Sequence, residues 1–184
     1  MKVAETEFPE VKVISPTRFG DDRGWFEEIY RQDILAAAGI RDVFVQDNAS
    51  FSISRGTVRG MHFQTPPSAQ AKLVRVLVGS VLDVVVDLRS SSTTYGRHVT
   101  IEIDAKLGRL VYIPSGFAHG FCTLEASTLV FYKVSTPYDS RCDRSFAWND
   151  PALGIEWPVT ASDAILSAKD RAAPELAKLG RAFD

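Results

Sequence analysis

The chain reads as an all-β protein, an antiparallel sandwich or barrel, and three observations lead there. Ten short runs are rich in Val, Ile, Phe and Tyr. Gly, Pro, Ser or Asp punctuates the gaps between them, and helix-forming stretches are confined to two places. Closely spaced short strands separated by turn residues are the pattern of sheets that fold back on themselves.

In chain order the runs are "VKVIS", "WFEEIY", "VFVQDN", "TVRGMHF", "KLVRVLVG", "VLDVVVDLR", "HVTIEID", "RLVYIP", "HGFCTL" and "TLVFYKV". "DILAAAGI" predicts a short helix, with Asp33 as N-cap and Gly39 as its stop. "APELAKLG" predicts another, with Pro174 in the first turn and Gly180 as C-cap. Without repeats, low-complexity tracts or a linker, the 184 residues are expected to form one domain, 1–184.

Composition narrows function. A formal net charge of −2 gives no bulk attraction to nucleic acid or to an anionic membrane, so any bound anion needs a local cluster of Lys and Arg. No stretch has the length of a signal peptide or a membrane span, and a cytoplasmic protein is expected. Cys122 and Cys142 are too few for a disulfide scaffold and too far apart for a zinc knuckle. Cys122 alternates with apolar neighbours and reads as a small buried side chain.

Charged residues stand where barrel walls are usually apolar. Lys72 shares strand parity with Val74, Val76 and Val78, and Asp83 shares it with Val85 and Asp87. Tyr132 aligns with Val130 and Val134. Singly, each has a plain structural explanation: a buried Lys72–Asp83 ion pair, a core tyrosine bonded to a carbonyl. Together they describe a proton-transfer cavity. Arg59 and His62 fall on opposite faces of a regular strand, unless Gly60 between them makes a bulge that turns both toward one pocket.

"GRLVYIPSGFAHGFCT" carries glycine, then Pro-x-Gly-x-x-His, and resembles the second motif of the cupin superfamily. A cupin-type antiparallel jelly-roll barrel is therefore expected. A metal-binding cupin needs two histidines one residue apart; the matching place reads "MHFQ", with His62 followed by Gln64. The third histidine, His98, reads as a solvated strand start. No metal and no cofactor are expected, and a metal-dependent oxygenase is disfavoured.

The blocks "FGDDRGWFEE", "FVQDN", "RGTVRGMHFQ", "KLVRVLVGSVLDVVVDLR", "YGRHV", "IPSGFAHGF", "YK", "WNDPALGIEWP" and "LSAKD" resemble the RmlC-type nucleotide-sugar epimerases, in order from Phe19 to Asp170. The resemblance implies an isomerase that needs no cofactor. Its substrate would be a nucleoside diphosphate 4-keto-6-deoxy sugar, dTDP-linked, inverted at C3 and C5 on the route to L-rhamnose. By position, His62 matches the base, Asp170 its dyad partner, Lys72 the group that stabilises the enolate, and Tyr132 the returning acid. The same resemblance assigns substrate contacts to Arg23, Glu28, Gln46, Asn48, Arg59, His119, Asp143 and Lys169. Arg59 and His119 would hold the diphosphate, and Phe19 and Tyr138 would stack on thymine or sugar. It also implies a homodimer with swapped N-terminal strands, Arg23 serving the neighbour's site. Ala49, Glu27 and Pro137 depart from the family's usual histidine, phenylalanine and aromatic residue. Three other readings remain: an epimerase of C3 or C5 alone or of a GDP- or CDP-linked sugar, a sugar 3,4-ketoisomerase, and a non-catalytic binder. The last is disfavoured because binding alone needs no base opposite an acid.

Overall fold

The computed structural model describes residues 1–184. Thirteen strands form. They are β1 (Lys2–Glu5), β2 (Lys12–Ser15), β3 (Arg18–Asp21), β4 (Gly24–Glu27), β5 (Gln46–Ser52), β6 (Val58–Gln64) and β7 (Lys72–Val78). The rest are β8 (Ser80–Asp87), β9 (His98–Asp104), β10 (Leu110–Ile113), β11 (Phe117–Thr123), β12 (Thr128–Val134) and β13 (Asp143–Ser145). One antiparallel sheet runs β1-β2-β10-β7-β12-β5 and a second runs β13-β6-β11-β8-β9, with β3 and β4 as a separate hairpin. All ten expected runs overlap a strand, although "VFVQDN" meets β5 only from Gln46 and "WFEEIY" leaves β4 after Glu27; β1, β3 and β13 lie outside the expected runs.

Alternation along the strands builds the layers. The central cluster takes Val74 and Val76 of β7, Val111 and Ile113 of β10 and Val130 of β12 from the first sheet. Opposite them stand Val81 and Val85 of β8, Ile103 of β9, and Phe117 and Phe121 of β11 from the second. Those inner rows face each other as in any two-sheet sandwich. The outer rows are covered too, which is why β7 and β8 read as nearly continuous apolar runs. Leu73, Leu110 and Tyr112 pack under Leu35 and Ile40. Met61, Phe63, Val84 and Val86 lie against Phe146 and Leu153, with Leu176, Leu179 and Phe183 of the C-terminal tail beside them. Cys122 is fully buried, and burial pushes its thiol up to about 11.

The helices differ from expectation. Helix α1 spans Gln32–Ala37 with Arg31 as N-cap; Asp33 lies in its first turn, where its carboxylate pairs with Arg31. A carboxylate near the positive helix N-terminus is favourable, so Asp33 still assists the start without capping it. The C-terminal segment forms only a single 3₁₀ turn, Leu176–Lys178, ended by Leu179; Pro174 precedes it and Gly180 follows at φ +68°. A second α-helix, α2, occupies Ala168–Arg171.

Gly60 settles how β6 is built. His119 pairs with His62 and Phe121 with Arg59, so two steps along β11 span three along β6. That extra residue is a bulge, and it places Arg59 and His62 on the same inner face while Met61 and Phe63 point outward. Gly60 has φ +137°, and a Cβ there would stand 2.5 Å from the Gly120 Cα. Only glycine fits.

Candidate active site

The inner face opens as a cavity of about 280 Å³ into which Arg59, His62, Lys72, His119, Tyr132 and Asp170 project. His62 comes from β6 in the second sheet and Tyr132 from β12 in the first. The two groups therefore enter the cavity from opposing walls. A smaller compartment of about 220 Å³ shares His62, Lys72 and Tyr132 and continues past Gln64, Tyr138, Asp143 and Lys169.

His62 Nε2 lies 2.5 Å from Asp170 Oδ1. A carboxylate accepts, so Nε2 carries hydrogen, which in the neutral ring leaves the lone pair on Nδ1. Burial raises the Asp170 carboxyl, but hydrogen bonds from His62 and Ser167 outweigh it and hold it below the ordinary range. Lys72 shares the inward row with Val74 and Val76 and donates to the His62 carbonyl at 3.2 Å. Burial pushes its ammonium down to about 8, against the pull of Asp83 and Asp143. Burial also raises the Tyr132 phenol, with the nearby Arg59 cation opposing.

Around this core, Arg59 is aimed by Ser52 Oγ at 3.3 Å and the Phe51 carbonyl at 3.0 Å. His119 is only 7% exposed, and its Nε2 lies 2.6 Å from Asp83 Oδ1. The buried-pair alternative thus takes a different form: Asp83 bonds His119, not Lys72. Gln46 donates to Asn48 at 2.8 Å and accepts from the Tyr138 backbone at 3.2 Å, tying β5 to the second compartment. There Asp143 accepts from Lys169 at 2.5 Å and from Tyr138 at 3.2 Å.

Three expected site residues lie elsewhere within one chain. Phe19 and Arg23 sit on the exposed β3–β4 hairpin, where Arg23 pairs with Asp21 at 2.5 Å. Glu28 follows β4 and lies 3.9 Å from Arg31. The hairpin docks on the outer face of the first sheet, with Glu27 buried between Arg18 and Arg75. The three departures avoid the cavity as well: Glu27 has that structural role, Ala49 is exposed on β5, and the Pro137 carbonyl accepts from Gln64.

Sequence reasoning missed Ser50, Phe121 and Ser167, all of which line the cavity. The Ser50 hydroxyl is buried without a partner. Its parity with Asn48 was a usable signal, as was the Ser-x-x-Asp spacing of "SAKD" for a capped helix start. Nowhere do three His, Cys, Asp or Glu side chains converge in a metal-binding group.

A jelly-roll cup with an imidazole–carboxylate pair on one wall, a phenol on the other and cationic side chains around them has the layout of a cupin-type nucleotide-sugar epimerase. The family model for dTDP-4-dehydrorhamnose 3,5-epimerase matches residues 5–178, and the chain belongs to that isomerase family. It is similar to the dTDP-4-dehydrorhamnose 3,5-epimerase of Sinorhizobium fredii, 47% identical over 95% of this chain and 89% of the relative. Among solved structures, the Bacillus anthracis enzyme with TDP and PPi bound superposes with a TM-score of 0.92 at 47% identity, covering 95% of this chain and 99% of that one. The Legionella pneumophila enzyme in complex with dTDP-4-keto-L-rhamnose gives a TM-score of 0.92 at 40% identity, covering 97% and 94%.

Proposed function

We propose that this epimerase inverts C3 and C5 of dTDP-4-dehydro-6-deoxy-D-glucose, with His62 as base and Tyr132 as acid. The observation that carries the reading is their entry from opposing sheets into one cavity. The C4 ketone acidifies the hydrogens on both flanking carbons. His62 Nδ1 takes one of them as a proton, the C–H pair becomes a carbon–carbon double bond, and the ketone becomes an enolate oxygen. The Lys72 ammonium stabilises that oxygen, in a setting where burial makes charge–charge contact strong. Asp170 steadies the imidazolium. Tyr132 then donates its proton to the opposite face of the carbon, the ketone re-forms, the His62 imidazolium releases its extra proton to solvent and the Tyr132 phenolate takes one back. A second passage inverts the other centre.

Arg59 and His119 hold the diphosphate, a task suited to the forked guanidinium. Asp143, Lys169 and Tyr138 of the second compartment, with Gln46 and Asn48 on β5 beside Tyr138, are assigned to the nucleotide end. We assign the exposed Phe19, Trp25 and Phe26 of the hairpin, and Phe51 of β5, to contact with a second copy of the chain. Such a homodimer would bring Phe19, Arg23 and Glu28 to the neighbour's cavity. We place the reaction in the cytoplasm, where nucleotide sugars are made.

Incubation with dTDP-4-keto-6-deoxyglucose in heavy water tests the assignment. Deuterium at both C3 and C5 is expected; deuterium at one carbon would make this a single-centre epimerase, and none at either would overturn the reading. His62→Ala should abolish exchange while dTDP affinity stays within a few-fold.

A further inference from the structure

Asp170 does not stand on His62 alone. Its Oδ1 faces His62, while its Oδ2 accepts from the Ser167 hydroxyl at 2.8 Å. The Ser167 oxygen in turn accepts from the Asp170 backbone N–H at 3.1 Å, capping α2 from an extended conformation, φ −67° and ψ 163°. One hydroxyl can do both, since it has one donor hydrogen and two lone pairs.

We propose that Ser167 is a positioning residue of the proton-transfer site: it fixes the rotation of the Asp170 carboxylate and so decides which imidazole nitrogen of His62 is free to take a proton. The proposal deepens the reading of His62 as base and rests on it. Helix α2 has four residues, and its short backbone ladder gives little rigidity of its own. It is pinned from its other side where Lys169 reaches Asp143 on β13, a strand paired with β6 so that Ser145 stands opposite His62. With Lys169 holding one flank, the Ser167 bond is what stops the buried carboxylate from turning. Without it Oδ2 loses its side-chain donor, and the Nε2–H form of His62 loses its fixed acceptor.

Two substitutions separate this role from simple helix capping. Glycine is nearly as good an N-cap as serine but has no hydroxyl, whereas threonine keeps both. Ser167→Gly should lower kcat about tenfold, the size expected when a hydrogen bond to a charged group is lost. KM and dTDP affinity should stay close to wild type, and Ser167→Thr should restore most of kcat. Nitrogen-15 spectra of the imidazole rings, simplified by a chain with three histidines, should show one Nε2–H tautomer for His62 in wild type and a tautomer mixture in Ser167→Gly. Wild-type kcat and an unchanged tautomer in Ser167→Gly would overturn the proposal, as would a loss confined to KM. The spectra report on Ser167 even if wild type exchanges no deuterium, and that result would count against the epimerase mechanism instead.

Discussion

On the proposed mechanism, Lys72 ties activity and stability to pH in opposite directions. Its ammonium has an ordinary value of 10.5 and is pushed down to about 8 by burial. Below that pH the folded and unfolded chains both hold the proton. Between about 8 and 10.5 the unfolded chain still binds it and the folded chain does not, so stability rises with pH across that window. The difference of about 2.5 pH units corresponds to roughly 3 kcal/mol. Chemistry runs the other way, because only the charged form stabilises an enolate oxygen. Wild-type kcat/KM, which reports the free enzyme, should fall about tenfold per pH unit above pH ~8. The Tyr132 phenol is raised from 10.0, so its ionisation belongs to more alkaline conditions and does not produce this limb. Lys72→Met should cost about 10²–10³ in kcat and abolish the limb. Urea titrations at pH 7.5 and 10.5 should show wild type gaining roughly 3 kcal/mol relative to Lys72→Met. A kcat/KM flat to pH 9.5, or a limb that survives in Lys72→Met, would refute the reasoning.

Two further outcomes follow from the geometry. Tyr132→Phe should slow net epimerisation by about 10²–10⁴ yet leave measurable hydrogen exchange, because His62 can return a solvent deuteron to the face it came from; conversion at the wild-type rate would exclude Tyr132 as the acid. Gly60→Ala combines a disfavoured φ with a Cβ 2.5 Å from the Gly120 Cα, and should destabilise the fold by at least about 2 kcal/mol in a denaturant titration. An unchanged midpoint would mean that β6 does not need its bulge.

The ten apolar runs were legible because strands in a sandwich alternate toward a common core, and β7 and β8 do so with Lys72 and Asp83 in the inward row. The strands that escaped notice, "KVAE", "RFGD" and "DRS", are three or four residues long and mostly polar or half-exposed, so no alternation marks them. Gly60 betrayed the bulge that unites Arg59 with His62. The partner of Asp83 was not legible, since the register of β8 on β11, with Asp83 opposite Phe121, is a property of the folded sheet. Nor could spacing connect His62 with Asp170, 108 positions apart; family resemblance alone joined them. The positions of Phe19, Arg23 and Glu28 within one chain also follow from where the hairpin docks, a contact made through a buried Glu27 that local patterning does not mark.

The segment bearing Asp170 belongs to neither sheet. It arrives after both are complete, in a tail whose Leu176, Leu179 and Phe183 adhere to the back of the second sheet. The vessel that encloses a ligand and the fitting that would arm the proposed base are thus separate stretches of chain. On the proposed mechanism, loss of the Asp170 carboxylate alone turns the catalyst into a quiet receptor for the same nucleotide sugar, with both sheets still standing.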